Sequence, residues 1–154
     1  MIFWQLIKRG GQMYQELKRK VIEEKPSYRQ EEILWLLEHI GDPSPEIRDE
    51  LVFTSLARGI QEELFTKEQF QLIAAVIVSD GGLDKELYKL GASTLERSFR
   101  ALIYANLLSA DGNEQSLFYR ELKTDIRNTL LDQGLYYLSK EKDTRGFSSQ
   151  YGWV

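Results

Sequence analysis

The residues best equipped for chemistry in this sequence are Arg48, Asp49, Arg97, Asp143 and Arg145. A guanidinium presents a planar fork of donors that matches carboxylates and phosphates. Each arginine falls near a helix start or on a face that otherwise carries apolar side chains, where it needs a partner. Asp49, Glu50, Glu62 and Asp143 are the carboxylates at hand. If stacked helices bring their corners to one edge, Arg48-Asp49 and Arg97-Ser98 meet in a groove suited to an anion or a peptide carboxylate. The alternative is a set of bridges between helices that hold structure and bind nothing. Arg58 with Glu62 and Glu96 with Arg100 have i,i+4 spacing and read as structural surface pairs, each contributing about 0.2–0.5 kcal/mol.

Other chemistries lack their residues. The chain has no cysteine and a single histidine, His39, so thiol nucleophiles, disulfides and histidine-rich metal sites cannot be built within it. Gly10-Gly11 and Gly81-Gly82 lack the Lys-Ser/Thr of a phosphate loop, and no Gly-x-Ser-x-Gly elbow occurs. Asp111-x-Asn113-x-Gln115 has the look of a calcium loop, but Ser116 and Leu122 stand where Gly and Glu are needed. Asp80-Gly81-Gly82-Leu83-Asp84 fails too, with Gly91 at the twelfth position. Both read as loops that stop helices, so no cofactor and no metal is expected. His39 lies near a helix C-terminus, where a cationic imidazole would complement the helix dipole.

These residues must be positioned by helices. Met13, Leu17 and Val21 are four apart after a start at Gly10-Gly11, and Ile33 to Ile40 makes a second apolar helix that stops at Gly41. Gly41-Asp42-Pro43-Ser44-Pro45-Glu46-Ile47-Arg48-Asp49-Glu50 then reads as a corner. Ser44 would cap the next helix, Pro45 would sit in its first turn, and acidic residues would face its positive end. That third helix runs from Pro45 to about Glu63. Thr66 and Gln69 make a capping box for a fourth helix that ends at Asp80-Gly81-Gly82. After a short turn of helix within Leu83 to Leu90, Ser93 and Glu96 open a fifth that closes between Ser109 and Gly112. A last helix spans Ser116 to Lys140, with Leu117, Leu122, Ile126, Leu130, Leu131, Leu135 and Leu138 on its apolar side. No segment alternates with period two, so no sheet is expected.

One echo recurs at an offset of 30 residues: Leu72-Ile73-Ala74-Ala75 matches Leu102-Ile103-Tyr104-Ala105, and Ser79 and Gly82 match Ser109 and Gly112. Stacked helical units produce such echoes because each presents a similar apolar face. The corner at Gly41 also resembles that of HEAT-type repeats. The expected fold is therefore all-α, a HEAT/armadillo-like superhelical array of about six helices. Residues 1–154 would form one domain, with 1–25 a loosely attached N-terminal helix and 143–154 an irregular tail.

With 42% hydrophobic and 29% charged residues in 154, the composition is that of a folded globular chain. A net charge of −4 disfavours nucleic acid. The opening run Met1 to Arg9 is too short for a membrane span and has its basic residues on the wrong side for a signal peptide. The cytoplasm is the expected compartment.

Three separated blocks carry a closer resemblance. They are Gly41 to Leu51, then Arg97-Ser98-Phe99 with Ala101-Leu102, then Tyr137-Leu138 through Glu141-Lys142-Asp143-Thr144-Arg145-Gly146-Phe147 to Gly152-Trp153. Together they resemble an uncharacterised bacterial family, domain of unknown function 2785, over roughly Tyr28 to Trp153. That resemblance implies no reaction, substrate or catalytic residue. Members of the family continue past the Gly-Trp with a histidine-containing helical segment, so this chain is expected to represent an N-terminal part. The expected role is that of a protein-interaction or scaffold module receiving a protein or peptide. Self-association through an uncovered apolar strip on the last helix is also expected. The alternative is an enzyme or small-ligand-binding fragment in which Arg48, Asp49, Arg97 and Asp143 surround a polar substrate. A closed pocket would favour that alternative, and an open groove the interaction module.

Overall fold

The computed structural model describes residues 2–79 and 94–140, with side chains at 10–79 and 98–139. Among the described residues there are six α-helices and no strand. They are α1 (Ile2–Lys20), α2 (Gln30–Glu38), α3 (Thr54–Gln61), α4 (Lys67–Ser79), α5 (Thr94–Gly112) and α6 (Thr124–Lys140), and a π-helical stretch (Glu46–Phe53) leads into α3. The fold is all-α. The fourth helix's stop at Asp80-Gly81-Gly82, the turn within Leu83 to Leu90, and the Ser93 cap lie outside the described residues.

Three boundaries depart from the sequence reading. Helix α1 runs straight through Gly10 and Gly11 instead of starting there, since a helical glycine costs only about 1 kcal/mol against alanine. At the corner, Ser44 provides no side-chain cap, and Pro45 is already helical. Instead the Asp42 carboxylate accepts the Ser44 N–H at 2.8 Å, and the Ser44 carbonyl accepts the Arg48 N–H at 2.9 Å. The third departure is the start of the last helix, at Thr124 rather than Ser116. Asn113 and Ser116 hold the intervening chain in turns, their side-chain oxygens accepting the N–H groups of Gln115 and Phe118 in competition with a helix. Arg120, with φ 59°, bends it again.

Other local signals form as read. The Thr66–Gln69 capping box is reciprocal, with bonds of 2.9 and 3.1 Å. Arg58 pairs with Glu62 at 2.7 Å and also reaches back to the carbonyls of Val21 and Glu24, tying the end of α1 to α3. Beside it Leu17 is fully buried, and Lys20 meets the buried Glu32 of α2 at 2.7 Å. His39 caps α2, with Nδ1–H donating to the Trp35 carbonyl at 2.7 Å and its ring stacked on Trp35.

Packing follows a simple rule: α2 packs on α4, α3 on α5, and α4 on α6, while α5 and α6 pair with each other. Neighbours in sequence are thus joined to neighbours next but one. The 30-residue echo matches this packing. Ile73, Ala74 and Ile77 of α4 are buried, as are Ile103, Tyr104 and Leu107 at the same offsets in α5. At Gly59 the Phe65 ring comes so close that a Cβ would meet it, which lets the chain turn tightly into α4.

Candidate functional site

The charged corner can be described in part. Arg48 and Asp49 bond to each other within one segment, Nε to Oδ1 at 2.7 Å, and the guanidinium also reaches the Asp42 carbonyl at 3.4 Å. Both side chains are partly withdrawn from solvent, 12% and 29% exposed. The cavity beside Arg48 is only about 10 Å³ and is otherwise lined by Ile40, Val52, Phe53, Leu56, Phe99 and Ile103. The Arg97 side chain, Asp143 and Arg145 lie outside the described residues. Of the five expected site residues, then, two meet, and they meet each other beside an apolar void. A separate polar cleft of about 270 Å³ is lined by carboxamides and hydroxyls such as Gln61, Asn106 and Ser109, with Glu63 and no arginine.

A third depression runs along the α5–α6 pair. Its geometry begins with a buried lock. The Asp111 carboxylate, 4% exposed at the end of α5, accepts two bonds from Arg127 of α6, at 2.6 and 3.1 Å. It also accepts the Leu122 N–H at 2.9 Å, while Arg127 donates to the Leu122 carbonyl at 2.9 Å. Burial pushes the Asp111 carboxyl up. The hydrogen bonds from Arg127 and Leu122 and the charges of Arg127 and Arg120 outweigh that and hold it below its ordinary value. Of the oxygens that suggested a calcium loop, those of Asp111 accept from Arg127 and Leu122, and Asn113 Oδ1 accepts the Gln115 N–H. Further along, the Tyr104 hydroxyl donates to Gln133 at 2.6 Å. The two helices are pinned as a hairpin.

The outer face of that hairpin is a groove of about 290 Å³. Tyr104, Leu130 and Tyr137, all buried, form its base. On the α6 side stand Leu131, Leu135 and Leu138, which are 44%, 66% and 72% exposed. On the α5 side, Ser98, Ala101 and Ala105 leave space, flanked by Leu102. Among the described residues, no charged side chain lines it. The lining these residues make is almost wholly apolar, with hydroxyls only from Ser98, Tyr104 and Tyr137. The α6 half was signalled by the leucine periodicity, and the α5 half was missed because alanine and serine carry no hydrophobic signal.

Fold and site together define an all-α protein with an open apolar face on a locked helical hairpin. Residues 89–154 match the model of the family described as "Protein of unknown function (DUF2785)", a stretch that holds the second and third of the sequence blocks that carry the resemblance but not the Gly41 to Leu51 block. The matched region includes α5, α6 and the groove, and the family description carries no reaction, substrate or partner. No curated protein and no solved structure matches the chain.

Proposed function

We propose that this chain is a protein-interaction or scaffold module, built as a HEAT-like stack of helix pairs, that works in the cytoplasm by docking a protein segment on its α5–α6 face. The observation that carries this reading is the open apolar groove: Leu135 and Leu138 are 66% and 72% exposed beside a row of small residues. The packing of α2 on α4, α3 on α5 and α4 on α6, and the matching burial of α4 and α5, support the repeat architecture. The groove suits an amphipathic helix carrying aliphatic side chains at i, i+4 and i+7. Net charge −4 and the uncharged groove disfavour nucleic acid as that partner. Among the described residues no helix is long and apolar enough to cross a membrane.

The test is copurification of the tagged full chain from its host, compared across variants. Wild type is expected to recover a protein in near-stoichiometric amount, the Leu135→Glu, Leu138→Glu double variant to lose it, and Arg48→Gln to keep it. Loss with Arg48→Gln and retention with the double variant would move binding to the charged corner and overturn the groove.

A further inference from the structure

We propose that the occupant of the α5–α6 groove is a second copy of this chain, so that two hairpins pack face to face as a homodimer; this rests on the groove being a docking face. The surface carries both halves of a self-complementary contact. Leu131, Leu135 and Leu138 form a ridge on α6 with i, i+4, i+7 spacing, and Ala101 and Ala105 form a row of small residues on α5 with i, i+4 spacing, ending at the buried Ser98. Ridge and row lie side by side on one face. A two-fold axis through that face sets the leucine ridge of each copy against the small row of the other, which is the requirement of an isologous interface. The helix that the groove suits is one with an aliphatic stripe at i, i+4 and i+7, and α6 is such a helix.

Electrostatics permit the pairing. Each copy has a net charge of −4, yet among the described residues the groove has no charged side chain, so closing it on itself sets no like charges of these residues against one another. Size sets the strength. The leucine ridge covers two turns of α6, about 10 Å along the helix axis, much less than the roughly 800 Å² per partner of a standard interface requires. The dimer is therefore weak and dissociates on dilution into the micromolar range. Glycine at 134, in the middle of the ridge, lets the facing helix approach without meeting a side chain, since no atom lies within 4 Å of where its Cβ would be.

Sedimentation velocity of the full chain over a wide concentration series tests this, with circular dichroism as the check on folding. The wild type is expected to pass from monomer to dimer with rising concentration. Leu135→Glu on the ridge and Ala105→Glu on the small row should each weaken dimerisation at least about tenfold with helicity unchanged. Both positions are exposed, so neither substitution disturbs the core. Ile22→Glu, at an 83% exposed leucine-sized residue off the strip, should leave the dimer intact. A dimer that survives both strip variants, or is lost with Ile22→Glu, overturns the proposal. A chain that stays monomeric throughout, yet loses a copurifying protein on Leu135→Glu, overturns the second copy as occupant and leaves the docking face standing. Monomer throughout with no effect of Leu135→Glu on partner recovery overturns both.

Discussion

Phe118→Ala should lower the stability of the chain by about 3–5 kcal/mol, the usual loss for deleting a buried phenylalanine ring. Phe118 is fully buried although it stands in the turns between α5 and α6, and its ring stacks flat on that of Phe70 in α4, with centroids 4.4 Å apart. No helix of its own holds it. The Ser116 hydroxyl, which accepts its N–H at 3.0 Å, and the Gln71 carboxamide, which bonds Glu121 nearby, set the loop against α4. Removing the ring leaves a void at the junction that seats the hairpin on the rest of the core. Chemical denaturation of wild type and variant measures the loss. A change below about 1 kcal/mol, the range of ordinary surface substitutions, would mean that the loop does not plug the core.

Arg127→Ala should cost about 3 kcal/mol, the lower end of the range for breaking a buried pair, because the guanidinium is 23% exposed while its partner is not. The substitution strands the Asp111 carboxylate in the interior with only the Leu122 N–H. Asp111→Asn is the milder change, since an amide keeps an acceptor for that N–H and carries no charge. The pair also gives a pH signature. The folded carboxyl titrates below its ordinary value of 3.8. Its contribution is therefore fully present well above 3.8 and is lost as the pH falls through the lower folded value. The stability difference between wild type and Asp111→Asn should shrink over that acid window. A difference that stays constant as the pH falls from neutrality to below 3.8 would mean that the carboxylate is not the charged partner of Arg127.

Some local signals in the sequence formed and others did not, such as the Ser44 cap and the start at Gly10-Gly11. Thr66 with Gln69 and Arg58 with Glu62 were readable because each pair closes within one helical turn. The start of α6 was not readable, because Leu117 and Leu122 fit a helical stripe, whereas in the loop Leu122 is buried and Leu117 is 44% exposed. What decides between helix and loop is Asp111, whose carboxylate holds Leu122 and Arg127 across 11 and 16 residues, a pairing with no periodic trace. Arg48 illustrates the same limit. Its chemistry was evident, but its nearest carboxylate is the adjacent Asp49, and an adjacent pair leaves no spacing pattern that tells a closed bridge from an open site. On the groove, leucine at 131, 135 and 138 was visible as an apolar side of α6, while its being left uncovered depends on the small α5 residues opposite and on what α4 already occupies.

The open α5–α6 face is tested most directly by methyl NMR of leucine-labelled protein with a soluble paramagnetic agent, at a dilution where the chain is monomeric. Leu131, Leu135 and Leu138 should broaden strongly, while Leu107 and Leu130, both fully buried beneath them, should stay sharp. Leu135 and Leu138 methyls as protected as those of Leu107 would contradict an open face and remove the basis for docking there.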